Sequence, residues 1–238
     1  WGTAPQDEQQ SMRQQMGRLI EYLEQLPLTL VSVDGIEADD TMAYISQQLL
    51  KDSDIFLMST DKDFLQLVDE RVKVWSPTKK KLYTKREILD EYGIPSRNIL
   101  TYRIVDGDKS DNITGIQGAG LKSLIKYIPQ ITEDEDFTVK DLLSFVENTD
   151  KKIKVLENIK NGCKLIKRNY LLMQLKQVDI PNHTKMKIQG AVNGKIPQLV
   201  KYRFQTMFLK DKLQSSIKNL DTWLMEFTRL DRFRGLNK

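Results

Sequence analysis

Cysteine and histidine are almost missing from this chain of 238 residues: Cys163 and His183 are the single example of each. One cysteine excludes an internal disulfide and points to a reducing compartment. One of each also excludes a zinc centre built from His and Cys within the chain. A Ser–His–Asp arrangement would have to use His183, which stands in the polar stretch Pro181-Asn182-His183-Thr184 and reads as a solvent-exposed loop residue. No apolar run approaches the roughly 20 residues that span a bilayer, and no signal-peptide pattern is present. The expected location is the cytoplasm, without secretion and without a membrane partner. Internal repeats and low-complexity segments are also missing.

Charge, by contrast, is plentiful and unevenly placed. The formal net charge of +4 conceals an acidic part, residues 1–126 at −4, and a basic part, residues 127–238 at +8. One reading is an acidic site joined to a basic surface that faces an acidic polymer. The other is a solvated lysine-rich surface, and charge alone does not choose between them.

The densest chemistry lies between Gly107 and Lys122. Asp108 and Asp111 offer hard carboxylate oxygens of the kind that Mg²⁺ or Mn²⁺ takes. Gly115, Gly118 and Gly120 then lead into an apolar helical run from Leu121 to Ile128. Glycines there let backbone amides approach a phosphate, and the helix start behind them favours an anion. An EF-hand loop beginning at Asp106 would need Gly at Asp111 and Glu at Gln117, and a P-loop from Gly115 would need Lys where Leu121 stands. A plain Gly-rich turn between helices remains open for the glycines taken alone.

Along the chain, Trp1 to Gln10 is polar and reads as a loose segment. Met12, Met16, Leu19, Ile20 and Leu23 recur at helical spacing, which predicts a helix from Ser11 to Leu26. Leu28 to Val33 is expected as a short apolar strand, followed by the turn Asp34-Gly35. Glu37-Ala38-Asp39-Asp40 opens a helix. Ile55 to Met58 is a second, buried strand ending in Ser59-Thr60-Asp61-Lys62-Asp63, and Phe64, Leu65 and Leu67 begin a short helix. Val72 to Trp75 and Leu82-Tyr83 are further strands, and Thr84 caps a helix that Gly93 ends. Strand and helix alternate, so the fold expected is α/β with a mostly parallel sheet and helices on both faces. In such sheets, sites gather beyond the carboxyl ends of the strands. After a helix at Ser96–Val105 and the Gly107–Lys122 stretch, helices are expected at Leu121–Tyr127, Val139–Val146, Lys152–Leu172 and Lys201–Phe233, with Val178–Pro181 extended between them.

Glu37-Ala38-Asp39-Asp40, Ser59-Thr60-Asp61-Lys62-Asp63-Phe64 and Gly107-Asp108-Lys109-Ser110-Asp111-Asn112, in this order, resemble the 5′-nuclease family of flap endonucleases and polymerase I 5′→3′ exonuclease domains. The segment Gly115 to Lys122 is similar to that family's helix–three-turn–helix motif, which grips duplex DNA. Lys73-Val74-Trp75-Ser76-Pro77 with the lysines after it resembles the T-even phage ribonuclease H branch. The clear resemblance covers roughly residues 28–128.

The resemblance implies a Rossmann-like, doubly wound fold of the PIN/5′-nuclease kind. It implies a nuclease core at 1–103 and, at 104–238, the helix–three-turn–helix motif with a helical C-terminal region. The implied metal ligands and catalytic carboxylates are Glu37, Asp39, Asp40, Asp61, Asp63, Asp108 and Asp111. They would hold two Mg²⁺ or Mn²⁺ ions, Glu37 and Asp39 favouring one and Asp61, Asp63, Asp108 and Asp111 the other. Gly115, Gln117, Gly118, Gly120 and Lys122 are the implied DNA contacts, with K⁺ a candidate at the glycine hairpin. The family begins with a strand bearing an acidic ligand and a basic helical arch. Neither is recognisable before Ser11, so the sequence is expected to begin inside the domain and to leave an unpaired inner sheet edge.

Two like charges about 4 Å apart cost about 4 kcal/mol at an effective dielectric near 20, so crowded carboxylates require cations, raised pKa values, or both. The function implied is a metal-dependent 5′ nuclease that removes flaps or RNA primers in replication and repair. Its partners would be DNA or RNA–DNA hybrid with a 5′ end, and replication proteins such as a single-strand binding protein, clamp or polymerase. If the chain is phage-encoded, its location would be the host cytoplasm. A non-catalytic DNA-binding module and an acidic-pocket phosphatase are the alternatives.

Overall fold

The computed structural model describes residues 6–232, and the chain contacts divide into two compact units. One comprises residues 35–181 and carries every acidic and glycine motif named above; the other comprises residues 1–34 and 182–238.

The larger unit is α/β. Helix α2 (Ala38–Tyr44) opens at Glu37 and continues into a π-helical turn at Ile45–Leu49. The Arg71 guanidinium closes that end by donating to the carbonyls of Ser46, Leu50 and Ser53. Strands β1 (Ile55–Met58), β2 (Val72–Ser76) and β3 (Lys81–Tyr83) form one sheet in that order. β1 runs parallel to β2, from Ile55 opposite Val72 to Met58 opposite Trp75, whereas β2 and β3 form an antiparallel hairpin. Helix α3 (Lys85–Tyr92) begins with a Thr84/Glu87 capping box and ends at Gly93, whose φ of +67° suits a residue without Cβ. Helix α4 (Ile99–Asp106) is almost wholly buried. Helices α5 (Leu121–Tyr127), α6 (Val139–Asn148), α7 (Lys154–Asn161) and α8 (Cys163–Met173) complete the unit.

The smaller unit is helical: α1 (Gln6–Leu23), α9 (Asn182–Val192), α10 (Lys201–Lys210) and α11 (Leu220–Asp231). Its core gathers Tyr22, Leu26, Phe204, Met207, Phe208 and Leu224, with Trp223 packed against them. Asp211 ties α10 to α1 by accepting from Arg18 Nε and Tyr22 OH, each at 2.7 Å.

Several expectations change here. The α/β class holds, but the sheet described is small and mixed, with a single parallel pair. Leu28–Val33 is not a strand, because no described strand lies beside it to accept its backbone bonds. β1 is buried on one face only: Leu57 points inward, while Phe56 and Met58 are 63% and 69% exposed. Gln6–Gln10 belongs to α1, and Trp1–Pro5 lies outside the described residues. On that helix Met12, Met16, Leu19 and Ile20 are about half exposed, because packing is confined to its last turn and the residues after it.

The helix expected over Lys152–Leu172 is broken at Gly162, where a Cβ would meet Ile116 Cδ1 at 2.3 Å. The helix expected over Lys201–Phe233 is two helices, and Phe233 lies outside the described residues. His183 is exposed, as expected, but on α9 rather than in a loop. No described helix is long and apolar enough to cross a membrane.

Candidate metal and nucleic-acid site

Three acidic side chains converge. Asp63, Asp108 and Asp111 each present a carboxylate oxygen within 4.8 Å of the others, the one such trio among the described residues. Asp63 follows β1 through the turn Ser59–Lys62, while Asp108 and Asp111 sit in the loop after α4. Thr60, Asp61, Lys62, Arg103, Asp106 and the loop from Gly107 to Asp111 line an open cavity of about 620 Å³ beside the trio.

Local geometry explains each placement. Asp61 caps the turn Lys62–Leu67, its Oδ1 accepting from the Asp63 amide at 2.8 Å. One Asp61 oxygen is therefore engaged as a cap, and the other is left for the cavity. Asp108 and Ile113 pair in both backbone directions, which closes the loop that carries Asp111. Gly107 and Gly115 are where the two limbs of this loop cross. A Cβ on Gly115 would stand 2.0 Å from the Asp106 carbonyl oxygen, and one on Gly107 2.4 Å from the Gly115 nitrogen. The bareness of Gly115 thus serves the chain's own crossing.

Two asparagines that the sequence did not single out fix the loop from behind. Asn169 on α8 is fully buried and donates at 2.9 Å to the carbonyls of Ile104 and Thr114. Asn158 on α7 donates to the Gln117 carbonyl, also at 2.9 Å. A third unpredicted residue matters more. Arg103 projects from the apolar helix α4 and is 6% exposed. Its Nε donates to Asp63 Oδ1 at 2.9 Å and its terminal nitrogen to Asp108 Oδ2. A lone arginine among Ile99, Leu100, Ile104 and Val105 was the signal that could have found it.

The carboxyl groups respond unequally. Burial pushes Asp63 up to about 6, with Asp61 and Asp108 adding to the rise and Arg103 opposing it. Burial works in the same direction on Asp108, but hydrogen bonds from Ser110 and Arg103 outweigh it and hold that group at about 2. Asp39 is raised by burial first, then by Asp61, Glu37, Asp40 and Asp111, so it lies in the field of the other clusters. Asp40 is raised by burial and by Glu37 alone, and Glu37 is exposed at the start of α2. The seven expected ligands therefore grade from the trio, through Asp61 on the cavity wall and Asp39 in its field, to Glu37 and Asp40 at the periphery.

Of the expected DNA contacts, Gly118 is exposed with a φ of +78°, Gly120 caps α5, and Lys122 is exposed in that helix's first turn. Gln117 is exposed and its carbonyl is held by Asn158.

Residues 5–93 match the family described as 5′-3′ exonuclease, N-terminal resolvase-like domain. A 5′-3′ exonuclease of Buchnera aphidicola from Acyrthosiphon pisum is 30% identical over 176 residues, covering 73% of this chain and 60% of that protein. A bacteriophage T5 5′-exonuclease mutant superposes with a TM-score of 0.53 at 25% identity, covering 76% of this chain and 68% of the other. Over these spans the chain is similar to 5′-3′ exonucleases. It spans between 38% and 60% of the length of the first three curated relatives it matches. A T5 flap endonuclease complex with DNA and metal ions shares the fold, with a TM-score of 0.52 at 23% identity over 76% of this chain and 61% of the other. These likenesses assign no branch within the family.

The donor set of the trio fits a hard divalent cation: three carboxylate oxygens from two separate loops lie within 4.8 Å of one another.

Proposed function

We propose that this chain belongs to the 5′-nuclease family and carries a divalent-metal-dependent phosphodiesterase site acting on DNA that bears a 5′ end or flap. The observation that carries the reading is the convergence of Asp63, Asp108 and Asp111 beside an open cavity. Asp63, Asp108 and Asp111 would hold the cation, with Asp61 and Asp39 facing a second position and Glu37 and Asp40 behind them. When bound, such a cation neutralises phosphate charge and lowers the pKa of attacking water.

The chain's own residues supply the rest. The Ser110 amide and hydroxyl fix Asp108 Oδ1, so that carboxylate cannot rotate away. Lys62 and Lys109 are exposed on the cavity wall, where they offer positive charge to an incoming phosphate. Gly118, Gly120, Lys122 and the exposed Gln117 form the proposed contact to the duplex backbone, with Gly115 shaping that turn from within. The finer reading is two Mg²⁺ or Mn²⁺ ions, K⁺ at the hairpin, and RNA-primer as well as flap removal in the cytoplasm beside a polymerase, clamp or single-strand binding protein. It includes likeness to the T-even branch and a nuclease core distinct from the 104–238 region.

A labelled 5′-flap duplex, an RNA–DNA hybrid and a small phosphoester, each incubated with and without Mg²⁺, separate the readings. Mg²⁺-dependent cleavage of the flap with the small phosphoester intact is the expected result. Binding without cleavage would support the non-catalytic module, and hydrolysis of the small ester alone would support a phosphatase.

A further inference from the structure

Arg103 is a permanent cation set among the groups proposed to receive another. Its guanidinium cannot lose its proton in a protein, and its planar fork presents donors at fixed angles. Here the fork spans two carboxylates that come from different loops, Asp63 at forty positions' separation and Asp108 at five. The ion pairs are nearly dry, with Arg103, Asp63 and Asp108 side chains 7%, 13% and 16% exposed. Asp111, the third member, is exposed and takes no part in these ion pairs.

We propose that Arg103 is a positioning residue that acts as a resident counter-cation, standing in for a divalent ion at Asp63 and Asp108 and competing with it for their charge. The inference rests on the metal-site reading above. Three carboxylates against one guanidinium leave two negative charges, which one divalent ion would balance. Without Arg103 the metal-free trio would hold three uncompensated charges, and repulsion at such separations is substantial even when partly screened. A buried ion pair is weak evidence for stability as such, since its desolvation offsets its attraction. Its value here is that the two ligand-bearing loops stay together while the metal is absent, at the expense of metal affinity.

The test compares the melting temperature of the parent chain, Arg103→Met and Arg103→Lys at pH 8.5, with and without millimolar Mn²⁺. The expected result is that Arg103→Met melts lower than the parent without metal and gains more from Mn²⁺ than the parent does. Arg103→Lys, which keeps the charge, should gain about as much as the parent. A purely structural arginine would lower both curves equally, so an equal or smaller gain in Arg103→Met overturns the inference. If the parent itself gains nothing from Mn²⁺, the metal-site reading falls instead. Should Arg103→Met not fold without metal, refolding from urea decides the matter. Recovery only with Mn²⁺ supports the resident-cation role, and failure under both conditions overturns it.

Discussion

Asp108 and Ile113 exchange both backbone hydrogen bonds, amide to carbonyl at 2.8 Å in one direction and 2.6 Å in the other. The pair turns the four residues between them into a closed loop whose outer corner is Asp111. Ser110 donates back to Asp108, and Asn112 takes a φ of +57° to complete the turn. The spacing of Asp108 and Asp111 in this loop is therefore a property of backbone closure.

Closure depends on the glycine crossing. Gly115→Ala should destabilise the chain by several kcal/mol, because the added methyl would stand 2.0 Å from the Asp106 carbonyl oxygen, where backbone must move. Gly118→Ala meets nothing nearer than Val155 Cγ2 at 3.7 Å, so only its φ of +78° is strained, at about 1–2 kcal/mol. Urea unfolding of the two variants checks the ranking, and similar losses would contradict the crossing.

Much of the fold was legible because it is local. The Thr84/Glu87 box, the Gly93 stop and the alternation in β2 follow from neighbouring residues. Asp63, Asp108 and Asp111 all stand in acidic motifs of the sequence, but the counter-charge that Asp63 and Asp108 share was not legible. The apolar neighbours of Arg103 hint in the sequence that it faces inward, but which carboxylates it meets is decided only by the packing of α4. Asn169 is similar: nothing near it in sequence announces that it holds the carbonyls of Ile104 and Thr114. Leu28–Val33 failed as a strand for the complementary reason, since β propensity without a partner strand yields no ladder.

Asp63 and Asp108 titrate with opposite consequences. The folded state raises Asp63 from 3.8 to about 6, so its protonated form is favoured on folding. Stability from Asp63 is then full below its unfolded value and lost as pH rises through about 6, by on the order of 3 kcal/mol. Asp108 is lowered to about 2, so its contribution is present above the unfolded value of 3.8 and lost as pH falls toward about 2. The free energy of unfolding of the metal-free chain, minus that of Asp63→Asn, should therefore fall between pH 4 and pH 7. A flat difference would contradict the assignment. Divalent-ion affinity should also fall steeply below about pH 6, as Asp63 takes up its proton.

The glycine hairpin can be tested apart from the acids. Lys122→Ala should weaken duplex binding and reduce the slope of log K against log salt by about one phosphate contact. Gly118→Val should weaken duplex binding while leaving Mn²⁺ affinity near that of the parent, because Gly118 lies outside the acidic cavity. Unchanged duplex affinity in both variants across a salt titration would remove this turn from the nucleic-acid surface.

Asp111 offers the cleanest access to the central claim, that Asp63, Asp108 and Asp111 together hold a divalent cation. It is exposed and takes no part in the Arg103 ion pairs, so Asp111→Asn, which removes one of the crowded charges, should not lower the metal-free melting temperature. Calorimetric titration of Mn²⁺ into the parent and into Asp111→Asn at pH 8.5 is the decisive measurement. Saturable binding to the parent is expected, with affinity lower by about tenfold or more in the variant, the effect of losing one anionic ligand. Equal affinity in the two proteins, or no saturable binding to either, would contradict it.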